Sequence, residues 1–375
     1  LAQSKIKVGF LSPRLRLAGA ERWMIQLARH CDPSVIEWTG VTLTEWSTED
    51  TDMCREMNRY MPIFGKFVDP NSSNHDHRYV KRIGGTAVPS LTHVMSVSDV
   101  MITWDANLLP VMTQTYLERG MKVVLVSHSD GPAGANIGME AGATHFAAVS
   151  KAALNVFSAE AQKKATVIFN GAEPERCCPA IGRDKMRERL GIKPGTRVVG
   201  YIGRFSEEKN PLASALALQA LPAEYHAVFV GPDEMNGFRN HVLKLIPQER
   251  FTICPPTWHI GDYLAAFDCL MVASGTEAFS LRINEAWLAG CPVISTPIGC
   301  IPEVEALHDS MVMQVPYQER FNPKALAMCV EGIINYMDGT MVKRAREVAW
   351  ANYTAPACAQ RWTDYIHSLT NTVRS

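Results

Sequence analysis

The chain has 375 residues, 47% hydrophobic and 20% charged, with a formal net charge of −1. That length suits two domains of roughly 150–200 residues each. The composition excludes a disordered chain, and the near-neutral charge excludes bulk nucleic-acid binding, which needs a basic surface. In the first half the apolar runs 6–11, 41–43, 100–103, 122–127 and 145–149 read as buried strands. Helical patterns separate them, such as residues 21–30 with Trp23 and Leu27 four apart. Residues 44–98 show no periodicity. They hold Gly84-Gly85 and a small basic cluster of His75, His77, Arg78, Lys81 and Arg82. That cluster reads as a solvated loop face, or as a patch for an anionic acceptor or a membrane surface. In the second half the runs 197–203, 226–231, 251–254, 269–273 and 292–295 read as strands again. Near-continuous apolar strands alternating with helices predict parallel sheets covered on both faces. The series stops and restarts where Pro174, Pro179, Gly182 and Gly191 punctuate the chain. The expected division is 1–172, then 173–350, then a C-terminal helix over 351–375. On that helix Trp362 and Ile366, and Tyr365 and Leu369, stand four apart and form an apolar face.

The ten cysteines contain no Cys-x-x-Cys pair. They read as reduced, mostly buried thiols of a cytoplasmic protein, and no apolar run reaches the roughly 18 residues of a membrane span. Two segments carry chemistry. The first is Gly203-Arg204-Phe205-Ser206-Glu207-Glu208-Lys209-Asn210-Pro211, between a strand and a helix. Asn210 suits an N-cap and Pro211 the first helical position. Arg204 and Lys209 supply the two cations a diphosphate needs, or else form exposed pairs with Glu207 and Glu208. The second is Glu277-Ala278-Phe279-Ser280-Leu281-Arg282-Ile283-Asn284-Glu285, two carboxylates with seven residues between them. Ser280 is placed as a cap and Gly290 as a stop, so Glu277 falls in a loop and Glu285 inside a helix. The amides of Phe279, Ser280 and Leu281 would lie at that helix's N-terminus, an anion site. In the first half Gly19 precedes a helix without a dinucleotide fingerprint, and His128 stands at a strand's carboxyl end in Ser127-His128-Ser129-Asp130-Gly131.

Together these segments resemble family 4 of the retaining glycosyltransferases. The resemblance implies the GT-B fold: two doubly wound, Rossmann-like α/β domains facing a cleft, with the last helix crossing back to the first domain. It implies that Gly203, Arg204 and Lys209 hold the donor diphosphate, that Glu277 contacts the transferred sugar, and that Glu285 contacts the ribose. Asn170-Gly171-Ala172-Glu173 resembles the family's interdomain linker, and Thr296-Pro297-Ile298-Gly299 its closing loop. His128 matches the active-site histidine near the sugar, and Gly19 the second glycine of a loop that approaches the donor, with Ala18 in place of the first. Ala278 replaces a usual glycine and Asn284 a usual apolar residue.

The expected activity is transfer of a hexose-type sugar, with retention, from a nucleotide diphosphate donor to an unknown hydroxyl acceptor. UDP is slightly favoured over GDP. The acceptor is a saccharide, a lipid-linked molecule or a small molecule. Leaving-group charge is met by Arg204, Lys209 and helix amides, so no metal and no other cofactor are expected. The rival readings are a nucleotide-sugar 2-epimerase on the same scaffold and a non-catalytic nucleotide-sugar-binding subunit.

Overall fold

The computed structural model describes residues 4–12, 19–43, 56–66, 79–82, 87–89, 92–111, 117–131, 139–233 and 237–371. The chain divides into two units, Leu1–Asn170 with Ala355–Ser375, and Gly171–Thr354. Each unit is built on a mainly parallel α/β sheet, and the fold class is GT-B, two Rossmann-like units.

In the first unit the strands are β1 (Ile6–Ser12), β2 (Ile36–Leu43), β3 (Ile63–Lys66), β4 (Tyr79–Arg82), β5 (Ala87–Pro89), β6 (Val100–Thr103), β7 (Lys122–Ser127), β8 (His145–Ala148) and β9 (Thr166–Val167). Their order across the sheet is β5-β4-β3-β2-β1-β6-β7-β8-β9. Among the described residues only the β3–β4 and β4–β5 pairings of this sheet are antiparallel. These three short strands are the structure of part of residues 44–98, where the sequence showed no period. The basic residues His75, His77 and Arg78 lie outside the described residues.

Strand β1 leads toward α1 (Gly19–His30), whose buried side includes Trp23, Met24 and Leu27. The C-terminal helix Ala355–Asn371 packs on α1. Trp362 meets Trp23 edge-on at 5.1 Å, and Ile366 joins the same core. The Cys31 thiol donates to Ala359 O at 3.5 Å, and the Asp32 amide to Thr363 Oγ1 at 3.3 Å. Wide apolar burial and specific polar contacts therefore both fix the last helix to this unit. Truncating either tryptophan to Ala removes a side chain whose core loss typically costs about 3–5 kcal/mol.

In the second unit the strands are β10 (Arg197–Ile202), β11 (Tyr225–Val230), β12 (Phe251–Cys254), β13 (Cys269–Val272), β14 (Val293–Ser295) and β15 (Met313–Gln314). The order is β12-β11-β10-β13-β14-β15, with every pairing parallel. Chain direction across the sheet reverses between β10 and β13. At such a switch point the loops at neighbouring carboxyl ends part in opposite directions and leave a ligand crevice. Strand β10 feeds α2 (Leu212–Ala220), and β13 feeds α3 (Leu281–Ala289). Gly290 ends α3 in the left-handed conformation, φ 74°, as a C-terminal glycine does.

Candidate functional site

Both sequence-flagged segments of the second unit lie at its switch point. The residues 203–211 loop leaves β10, and the residues 273–280 loop leaves β13. Gly203 sits at φ 151°, and a Cβ there would come within 2.9 Å of Arg282 Nη1 and 3.2 Å of the Tyr201 hydroxyl. A side chain at 203 would push the loop off the residues beneath it.

Arg204 and Lys209 both lie beside Glu208. Arg204 Nη2 is 3.6 Å from Glu208 Oε2, and both side chains are nearly half exposed. Lys209 Nζ is 2.6 Å from Glu208 Oε1 and 3.3 Å from Glu277 Oε1. Lys209 thus spans the two loops, and it is the more enclosed cation. The exposed Arg204–Glu208 pair contributes at most about 1 kcal/mol, so a stronger anion exchanges with it readily.

Glu277 is buried. Its Oε1 receives Arg282 Nη2 at 2.7 Å and the Ser274 hydroxyl at 3.2 Å, besides Lys209. Burial pushes its carboxyl up, and Arg282 and then Lys209 more than offset this, so it sits below the usual carboxylate range. Arg282 was not singled out from the sequence, where a lone arginine in a helix reads as solvated. It is buried instead. It donates to Ile202 O at 3.0 Å and to Ser274 Oγ, and its guanidinium lies 5.7 Å from the Tyr201 ring. Tyr201 in turn donates to Arg204 O at 2.5 Å. The loop after β14 closes under the same group. Gly299 is left-handed at φ 59°, and any Cβ there would collide with the Glu277 carbonyl.

Glu285 lies one turn into α3, as the spacing predicted, and is buried. Arg176 Nε donates to its Oε1 at 2.8 Å. Arg176 also donates to the carbonyls of Thr257, at 3.4 Å, and Trp258, and its guanidinium stacks 5.1 Å from the Trp258 ring. Arg176 was missed because it lies 109 residues away in sequence.

Two capping expectations need correction. Asn210 does not cap α2 with its side chain: it has φ 48°, and Nδ2 donates instead to Ala273 O at 2.7 Å, tying the β10 loop to the β13 loop. Ser280 does occupy the cap position of α3, but its hydroxyl makes no cap bond and is buried without a partner. Its backbone bonds the Cys300 thiol. Phe279 and Leu281 are buried, the Phe279 ring edge-on to Tyr353 at 6.1 Å, so only their backbones are candidates for ligand contact. Asn284, unusual for its place, is accounted for: Nδ2 donates to Tyr353 O at 2.7 Å, the carbonyl that also takes the Ala172 amide at 2.9 Å.

In the first unit Gly19 opens α1, and Ala18 lies outside the described residues. His128 stands just past β7, near the Trp23 ring at 4.6 Å and the Trp104 ring at 6.4 Å. Its Nε2 is buried without a hydrogen-bond partner. Burial pushes its pKa down to about 3, so the ring is neutral at ordinary pH. One Asp-x-Asp triplet, Asp50-Thr51-Asp52, lies outside the described residues.

Two cations at the mouth of a Rossmann switch point, over a buried carboxylate with its own arginine, suit an anionic, hydroxyl-bearing ligand. Residues 182–335 match the family model of group 1 glycosyl transferases. The match spans the second unit's sheet and both flagged segments. Over 152 residues the chain is 32% identical to a D-inositol 3-phosphate glycosyltransferase of Corynebacterium jeikeium, covering 36% of each chain. Over 148 residues it is 25% identical to the lipopolysaccharide core biosynthesis mannosyltransferase LpsB of Rhizobium meliloti, covering 37% of this chain and 42% of that one. The chain thus spans well under half the length of these two relatives. Among solved structures, Anabaena Alr3699/HepE in complex with UDP-glucose superposes with TM-score 0.75, at 20% identity, over 97% of this chain and 100% of that one. WaaG, a glycosyltransferase involved in lipopolysaccharide biosynthesis, superposes at TM-score 0.61 and 16% identity, over 96% and 99%. Among the described residues no helix is long and apolar enough to cross a membrane.

Proposed function

We propose that this chain is a glycosyltransferase that takes a hexose-type sugar, with retention, from a nucleotide diphosphate donor bound by its second unit. The observation that carries the reading is Lys209, which bridges Glu208 and Glu277 across the two loops of the switch point, with Arg204 beside it. On donor binding the two cations turn to the diphosphate. As the bond to the sugar opens, they neutralise the charge that grows on the leaving phosphate. Glu277 accepts hydrogen bonds from the sugar's hydroxyls, and Glu285 from the ribose. The departing phosphate oxygen takes the acceptor's proton on the same face, which retains configuration without a separate general base. His128, neutral, is the first unit's candidate for a hydrogen bond to a hydroxyl-bearing ligand. The acceptor is a hydroxyl compound of unassigned class, and the protein works in the cytoplasm, with or without a membrane surface.

UDP-glucose, the ligand named for the HepE structure, is the donor with which to test this. Incubation with the labelled donor should give UDP and a glycosylated acceptor, with the product's anomeric configuration retained. Free 2-epimeric sugar formed without an acceptor would indicate an epimerase, and tight binding without turnover a binding subunit. Arg204→Ala and Lys209→Ala should each lower turnover at least tenfold, since a charge-assisted bond to a developing charge is worth about 1.5–3 kcal/mol. Wild-type turnover in both variants would remove the diphosphate assignment. The two cations supply the charge a metal would otherwise bring, so turnover should persist in saturating chelator. Abolition by chelator, with restoration by a divalent ion, would show that a metal shares the task.

A further inference from the structure

The second unit holds a charge that the proposed chemistry does not use. Arg282 is only 8% exposed, and it joins both loops of the donor site from beneath. It bonds Glu277 and Ser274 in the β13 loop, and Ile202 O at the root of the β10 loop. Its guanidinium lies toward the Tyr201 ring, whose hydroxyl holds Arg204 O. Gly203 is the residue that leaves room for it.

Lys209 and Arg282 converge on the same oxygen of Glu277, yet they differ in what they are free to do. Lys209 also contacts Glu208 at the rim and carries a single flexible ammonium. Arg282 is fixed on several sides through a rigid planar fork, which cannot turn to a ligand without breaking its other bonds. If the donor diphosphate draws Lys209 away, the enclosed carboxylate loses one of the two cations described beside it just as the sugar arrives. A buried carboxylate without a counter-charge takes up a proton or shifts.

We propose that Arg282 is a positioning residue for sugar transfer: it keeps the Glu277 carboxylate in place and in charge balance when Lys209 turns to the donor diphosphate. This rests on the donor-site reading above, and it adds a division of labour between two cations. Lys209 is the exchangeable one, shared between resting protein and donor. Arg282 is the permanent one and touches the ligand only through Glu277.

The test is a double-mutant cycle of R282Q and E277Q in the full chain. Release of UDP from UDP-glucose reads turnover, and calorimetric binding of UDP and the melting temperature serve as controls. R282Q should lower turnover by about tenfold or more, while UDP binding changes by less than about threefold, because Arg204 and Lys209 remain. In the E277Q background the same change should add little, since the group through which Arg282 acts is already gone. R282K, which keeps a charge beside Glu277 but cannot span the other partners, should recover part of the turnover. It also serves if R282Q fails to fold. The proposal is overturned if R282Q or R282K turns over like wild type while E277Q does not. It is also overturned if the two losses simply multiply, or if UDP affinity and melting temperature fall in step with turnover. An E277Q variant with full turnover instead overturns the donor-site reading beneath it.

Discussion

Replacing Arg176 with Ala should destabilise the second unit by about 3–5 kcal/mol, the usual cost of removing one partner from a buried ion pair. Arg176 and Glu285 are 8% and 4% exposed at their side chains, too little for water to take over either charge. Arg176 also holds the carbonyls of Thr257 and Trp258 and lies under the Trp258 ring, so its loss loosens the loop after β12 as well. For a unit of this size the melting temperature should fall by roughly 6–20 °C. Denaturant unfolding of the full chain, followed by tryptophan fluorescence, measures it. The companion variant R176M/E285L removes both charges and replaces them with apolar groups. It should recover most of the stability, because a well-packed apolar pair avoids the desolvation cost of two ions. UDP binding should not recover with it, because the carboxylate proposed to meet the ribose is gone. A loss under about 1 kcal/mol in Arg176→Ala would mean that the pair is solvated in solution and does not hold the loop.

The pair also shows where reading a sequence stops. The strands of the second unit were legible because each is buried on both faces and so nearly all apolar, and because turn residues bound each run. Glu277, Glu285 and Lys209 were legible because their spacing is local: a strand end, a loop and the first turns of one helix. Arg176 and Arg282 were not. Their meaning comes from groups that the fold brings to them, Arg176 from a helix 109 residues away and Arg282 from a strand 80 residues away. Along the chain, an arginine next to two cysteines and one amid a helix both look like surface charge. Residues 44–98 failed for another reason. Their strands are three or four residues long and partly antiparallel, so no window is long enough to show a period, and turn residues such as Gly84-Gly85 and Pro89 were the punctuation. The capping misreading of Asn210 was a competition. Its side-chain amide serves a neighbouring loop's carbonyl instead of the helix, and only the tertiary structure reveals that the carbonyl is there.

His128 should make the protein less stable as the pH falls from 7 to 5, and removing it should flatten that slope. In an unfolded chain a histidine titrates near 6.5. In the folded protein the ring lies against Trp23 and near Trp104, with Nε2 enclosed, and burial holds its pKa down to about 3. Between those two values the unfolded chain binds a proton that the folded one refuses. Stability contributed by the neutral ring is therefore complete above about pH 6.5 and is lost progressively toward pH 3. From pH 7 to pH 5 the loss is about 2 kcal/mol; Glu277, held below the usual carboxylate range in the folded protein, loses its contribution only as the pH falls through the ordinary carboxylate range at about 4, below this window. Half-buried His145 and His226 are also held low by burial and slope the same way, so the variant, not the wild-type curve alone, isolates His128. His128→Gln keeps polar atoms in the pocket but carries no titrating group. Unfolding free energies at pH 7, 6 and 5 should converge on a shallower line for it, by about 2 kcal/mol over the range. The same neutrality bears on function. A ring uncharged across this window can give or take a hydrogen bond at a sugar hydroxyl, but it cannot supply an ionisation near pH 6.5 to the rate profile. Turnover of His128→Gln at pH 7 should fall while UDP binding is kept, since the proposed diphosphate ligands are in the second unit. Parallel stability curves for the two proteins would show that His128 titrates normally and that its ring is not enclosed in solution.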